Sequence, residues 1–170
     1  MCSSDLLNIS SSGSVTVSSA GELPLGAVLA ADTITITSGG ALVDAGRNAT
    51  TIGDGSLNLQ GTAINLQATS FGTAVSPLLV GGGLETSDGL VQVSQLSANL
   101  APGTASGAVM AFDLVGAGVE LTDLSAPGGV VWLSGDAPEA AVGTAPVLSA
   151  STLVLNGLAG AGSAAAPLLT

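Results

Sequence analysis

The chain has 170 residues and a formal net charge of −11, with Arg47 as the single basic residue against eight Asp and four Glu. It is 46% hydrophobic yet only 2% aromatic, so its interior must be built from Val, Leu, Ile and Ala, and it is too aliphatic for the disorder that such a charge otherwise suggests. Nucleic-acid phosphates and anionic membrane surfaces are bound through clustered Lys and Arg; Ser-His triads, Schiff-base lysines and His-based zinc sites need residue types the chain lacks, and all of these are excluded by inventory.

The opening hexapeptide, MCSSDL at 1–6, resembles the translated end of a sequencing adapter. Residues 1–6 are therefore expected to be non-native, and residues 7–170 to be a single segment truncated at both ends. No basic region followed by an apolar one marks a signal peptide, and Cys2, the one cysteine, cannot form an intramolecular disulfide.

Short runs of strict apolar–polar alternation follow: VTV at 15–17, TITIT at 33–37, LNLQ at 57–60, INLQ at 64–67 and VQVSQL at 91–96. Period two marks a strand with one buried face. Further strand candidates are AFDLV at 111–115, VEL at 119–121, VVWL at 130–133 and LVL at 153–155. Gly, Pro, Asp or Asn bounds each of them, as turn residues do, and no segment keeps a 3.6-residue period. The uncharged stretches 89–112 and 140–170 are interrupted by Pro102, Pro146 and Pro167 and read as buried or turn-rich strands, not as membrane helices.

Imperfect repeats run through the same segments. GTAVSPLLV at 72–80 matches GSAAAPLLT at 162–170 in its Gly, Ala, Pro, Leu and Leu; VLAADTITIT at 28–37 matches VLSASTLVLN at 147–156; SLNLQG and AINLQA lie seven residues apart. Repeated turn-plus-strand units are what stacked coils leave in a sequence. The steps from Val15 to Ile34, from Ile34 to Leu57 and from Leu57 to Leu78 are 19, 23 and 21 residues, so coils of roughly 20 residues are expected, with Asn58, Asn65 and Asn156 as candidates for polar ladders. Some seven or eight coils at about 4.8 Å would make a rod roughly 35 Å long.

The run INLQATSFGTAVSPLLV at 64–80, and again LVLNGLAGAGSAAAPLLT at 153–170, resembles a repeat of filamentous-haemagglutinin-like exoproteins and autotransporter passengers. That resemblance implies an all-β, right-handed parallel β-helix (β-solenoid) exported to the exterior of the Gram-negative outer membrane. The role it implies is that of a structural or adhesive passenger segment, a rigid stack of coils that spaces or presents binding surfaces. The partners it implies are neighbouring coils of the same chain and, through the full-length protein, host-cell or carbohydrate receptors, with no nucleic acid and no membrane insertion.

Carboxylates are the remaining chemistry. Asp44, Asp54, Glu85, Asp88, Asp136 and Glu139 are candidates for a glycoside-cleaving pair, which needs two carboxyl groups at a controlled separation; each also lies in or beside a Gly- or Pro-containing segment, where a solvated turn residue is the plainer reading. Asp44 and Arg47 suit a surface ion pair. IGDGSL at 52–57 is half of a calcium-solenoid repeat and occurs once, whereas such sites need tandem copies. The TITIT threonines are one row of an ice-binding type of array, which needs rows on successive coils. Trp132, in GGVVWLSG, reads as a filler of the core or of the rod face, and the sequons at Asn8 and Asn48 carry little weight. No catalytic, cofactor or metal residue is assigned, no cofactor is expected, and the chain is expected not to be an enzyme.

Overall fold

A computed structural model describes residues 6–45, 57–82, 84–85, 91–116, 118–136, 139–140 and 147–157. Among them every regular element is a strand. In chain order these are β1 (Leu7–Ser11), β2 (Val15–Ser19), β3 (Leu23–Ala30), β4 (Thr33–Ser38), β5 (Ala41–Asp44), β6 (Leu59–Gln60), β7 (Ala63–Ala68) and β8 (Ser70–Phe71). They continue as β9 (Leu78–Gly81), β10 (Leu84–Glu85), β11 (Val91–Gln92), β12 (Ser94–Leu100), β13 (Val109–Val115), β14 (Val119–Gly135), β15 (Glu139–Ala140) and β16 (Val147–Asn156). Fourteen of them join one sheet, paired in parallel throughout, and β10 with β11 forms a separate antiparallel pair.

The pairing sorts the strands into three files. The first runs β2, β4, β7, β12, the N-terminal half of β14 and the start of β16. The second runs from the start of β3 through β5, β8 and β13 to the C-terminal half of β14 and the end of β16. The third runs from the end of β3 through β6 and β9 to β13. From β2 to β9 the chain visits the files in a fixed cyclic order. The path requires parallel pairing, because a strand re-enters its file only after a crossover through the other two.

Alternation decides which side chains face in. In the first file Val17, Ile36, Leu66, Ala98, Leu124 and Leu148 lie on successive strands in one register. All but the terminal Val17 are buried. Leu42, Phe71, Met110 and Val131 form the matching inward row of the second file, and Val28, Leu59, Val80 and Leu114 that of the third. Each row is wholly buried. Burial stabilises by about 0.8 kcal/mol per methylene, and like side chains stacked in line fill a narrow interior without large rings. The two Phe of the chain are fully buried and touch, Phe71 and Phe112 having ring centroids 5.8 Å apart and tilted by 39°.

Two of the three expected 20-residue steps are register offsets. Val15 pairs with Ile34, and Leu59 with Val80, the same 21-residue offset that separates Leu57 from Leu78. The middle step joins different files: Ile34 pairs with Ile64, thirty residues on. Offsets among all parallel pairs range from 18 in β1–β3 to 39 in β8–β13. The VEL and VVWL segments are one strand, β14, which changes files through Ala126-Pro127-Gly128-Gly129; there Gly128 takes φ of +73° and the register with β16 slips. Uneven turns of this kind are why period-two runs locate strands without fixing their partners.

Candidate functional site

The most organised polar cluster sits where the chain passes from the second file to the third. Asn58 is buried, 2% exposed, and its backbone belongs to the stack: Val28 N–H donates to its carbonyl at 2.8 Å and its own N–H donates to Leu79 O at 3.0 Å. Its side chain doubles that link. Nδ2 donates to Gly26 O at 2.9 Å, to Asp44 Oδ1 at 2.9 Å and, more weakly, toward Leu25 O at 3.3 Å, while Oδ1 accepts from Leu79 N–H at 2.8 Å. One amide thus satisfies backbone groups on the coil before and the coil after, at a corner where the strand ladder cannot reach them. Asn8 makes one such bond at an earlier level, its Oδ1 accepting from Ala27 N–H at 3.0 Å. That oxygen lies where a Cβ at position 26 would project, which is why Gly stands there.

Asp44 closes the cluster. Its Oδ1 accepts from Asn58 and its Oδ2 from the Ser76 hydroxyl at 3.2 Å. Ser76 in turn is held in a tight turn, in which its N–H donates to Thr73 O at 3.1 Å and Thr73 N–H donates to Ser76 O at 2.9 Å. A carboxylate gripped at both oxygens is a positioned crosslink between β5 and the β8–β9 turn. Chemically the cluster can orient and brace backbone.

The described carboxylates among the others singled out in the sequence take the following places. Asp136 lies in the turn after β14, accepting from Gly116 N–H at 2.7 Å. Glu85 stands in β10 opposite Val91, and Glu139 in β15 is in register with Glu120. Arg47, Asp54 and Asp88 lie outside the described residues, as do Cys2, Asn48 and the C-terminal repeat at 162–170. Among the described residues no group of three or more His, Cys, Asp or Glu is placed to hold a metal ion.

The outward face of the first file is a polar array. One row carries Thr16, Thr35, Asn65, Ser97 and Asp123, the next Ser18, Thr37, Gln67, Asn99, Ser125 and Ser149. The Thr row of TITIT therefore continues backward to one further threonine and forward into amides, Ser and Asp. Asn58, Asn65 and Asn156 fall in three different rows, so none of these three stacks on another. Trp132 is half-buried on the outward face of β14, between Ala111 and Val154 in register.

No family model, curated protein or solved structure matches this chain. The geometry therefore stands by itself, and two features of it were not read from the sequence. The Asn58–Asp44–Ser76 link joins residues 14 and 32 positions apart, a separation no local pattern reports. Ser94, fully buried with no hydrogen-bond partner for its hydroxyl, occupies an inward place in β12 that alternation assigns to an apolar residue. The break of pattern at that position was the available signal.

Proposed function

We propose that the chain is a segment of a right-handed parallel β-helix with coils of uneven length, and that it serves as a structural or adhesive passenger segment of a large secreted bacterial surface protein. The observation that carries this reading is the cyclic passage through three parallel files with inward rows aligned from β2 to β16. In such a stack length is added coil by coil without a larger core, which suits a part whose task is to space or present other surfaces. The resemblance of 64–80 and 153–170 to exoprotein repeats supplies the location, the exterior of the Gram-negative outer membrane, and the partners, host-cell or carbohydrate receptors met through the full-length protein. The role is mechanical, with the corner asparagines and the stacked aliphatic rows resisting shear between coils.

The experiment is to recover the reading frame around the coding segment and then to shave intact cells of the source organism with a protease. A frame extending far beyond both ends with further repeats, an export signal and a protease-accessible product supports the proposal. A short frame, or a product protected inside intact cells, overturns it.

A further inference from the structure

Asn156 closes β16 in register with Ser134 and is exposed, and the residue after it, Gly157, is exposed with φ of +66°. Among the described residues nothing lies within 4 Å of where a Cβ at 157 would be. We propose that Asn156 is a self-modification site, converting through a succinimide to aspartyl and isoaspartyl forms in the folded protein. This inference is independent of the passenger reading.

The reaction requires the backbone nitrogen of the following residue to reach the asparagine side-chain carbon. The Gly157 amide loses its proton to solvent base and attacks Cγ of Asn156; the N–Cγ bond forms, the Cγ–Nδ2 bond breaks, and Nδ2 leaves as ammonia after taking up a proton from water. Water then opens the ring. Attack at Cγ restores the normal backbone with an Asp side chain, and attack at the former main-chain carbonyl routes the backbone through Cγ as isoaspartate. No oxidant or cofactor enters, water being the only co-reactant.

The contrast within the chain carries the assignment. Asn8, Asn58, Asn65 and Asn99 are followed by Ile, Leu, Leu and Leu, and Asn48 by Ala; each of those side chains crowds the nitrogen that would attack. Asn58 is held besides by hydrogen bonds from both ends of its amide. Asn156 alone precedes Gly, and the fold itself demands that Gly, because a left-handed φ is costly for residues with a Cβ. Two consequences follow for the rod. A carboxylate at 156 falls in line with Ser134 and Asp113, whose side chains are already bonded at 3.1 Å, placing a second acidic side chain in that row. The isoaspartyl form lengthens the backbone by one atom at the end of β16 and ends its register there.

The test is to hold the full chain, folded and separately in denaturant, at mildly alkaline pH and to map peptides released after Glu139 by a Glu-specific protease. The expected result is loss of the Asn156 amide in the folded chain at a rate comparable to the denatured chain, rising with pH. The peptide gains the mass of an amide-to-acid exchange and splits into two isomers, one of them a substrate for an isoaspartyl methyltransferase. Asn156→Gln abolishes the conversion, and Asn58 and Asn65, carried on the one peptide between Glu22 and Glu85, stay unchanged. Conversion confined to the denatured chain, or conversion at Asn65 equal to that at Asn156, overturns the proposal.

Discussion

Asn58 and Asn65 hold the same place in two copies of one motif, LNLQ and INLQ, and face opposite ways. Asn58 points into the corner between files and is 2% exposed, whereas Asn65 stands on the outer polar face of β7. The difference is one of backbone. INLQ lies within a continuous strand, so alternation sends its Asn outward; LNLQ enters its strand only at Leu59, and the turn before it rotates Asn58 inward. The pair makes a controlled comparison. Asn58→Ala removes the hydrogen bonds to the Leu79 N–H, the Gly26 carbonyl and Asp44, and is expected to lower unfolding free energy by about 3 kcal/mol. Asn65→Ala is expected to leave the urea midpoint unchanged. Urea denaturation followed by far-ultraviolet circular dichroism measures both.

Ser94 offers a change of the other sign. Its hydroxyl is buried without a partner, and an unsatisfied buried polar group costs about 1–3 kcal/mol. Ser94→Ala removes the oxygen and keeps the Cβ, so thermal or urea unfolding is expected to show a gain of about 1 kcal/mol. A loss of stability would mean that the hydroxyl is bonded after all.

The contact between Phe71 and Phe112 joins the second file to the third in an interior with no other ring. Phe71→Ala is expected to cost about 3–5 kcal/mol through lost transfer energy and the cavity left behind. Val75, 93% exposed at the tip of the Thr73–Ser76 turn, serves as the control, and Val75→Ala is expected to be silent in the same titration.

Glycines in left-handed conformation separate strain from collision. Gly135 has φ of +94°, and a Cβ there would run into the Leu114 carbonyl; Gly103 has φ of +80°, with nothing among the described residues within 4 Å of a Cβ there. Gly103→Ala is expected to cost about 1 kcal/mol, the strain alone. Gly135→Ala adds a clash with backbone that cannot move without breaking the bond from Asp136 N–H to Leu114 O, and is expected to cost more than about 2 kcal/mol. Differential scanning calorimetry on the two variants resolves the order.

Strands were legible in the sequence where an alternating run lies whole within one strand: β2, β4 and β7 follow such runs to within a residue or two, whereas VQVSQL is divided, Val91–Gln92 pairing with β10 and Ser94 opening β12 with its side chain buried. They were illegible where both faces are covered, as in β9, whose four residues are all buried, and where a Pro or Gly marks a corner that the strand survives, as in β14. The described repeats marked strands but not their place in the stack. VLAADTITIT crosses from the third file to the first, whereas its partner VLSASTLVLN crosses from the first to the second. The Asn58 cluster was hidden because its members are far apart in sequence and each is an ordinary turn residue by itself.

Every parallel pair closes a chain segment of between 18 and 39 residues. Loop-closure entropy grows only with the logarithm of that length, so the longest closure costs about 0.7 kcal/mol more than the shortest. Excursions such as the β10–β11 pair are therefore nearly free. The separation between partners also does not grow as coils are added, so contact order falls as the protein lengthens. A chain of this kind has no need to gather its two ends before it can fold. Each completed turn offers the next one an edge to settle on, and folding can advance in one direction as the polypeptide emerges.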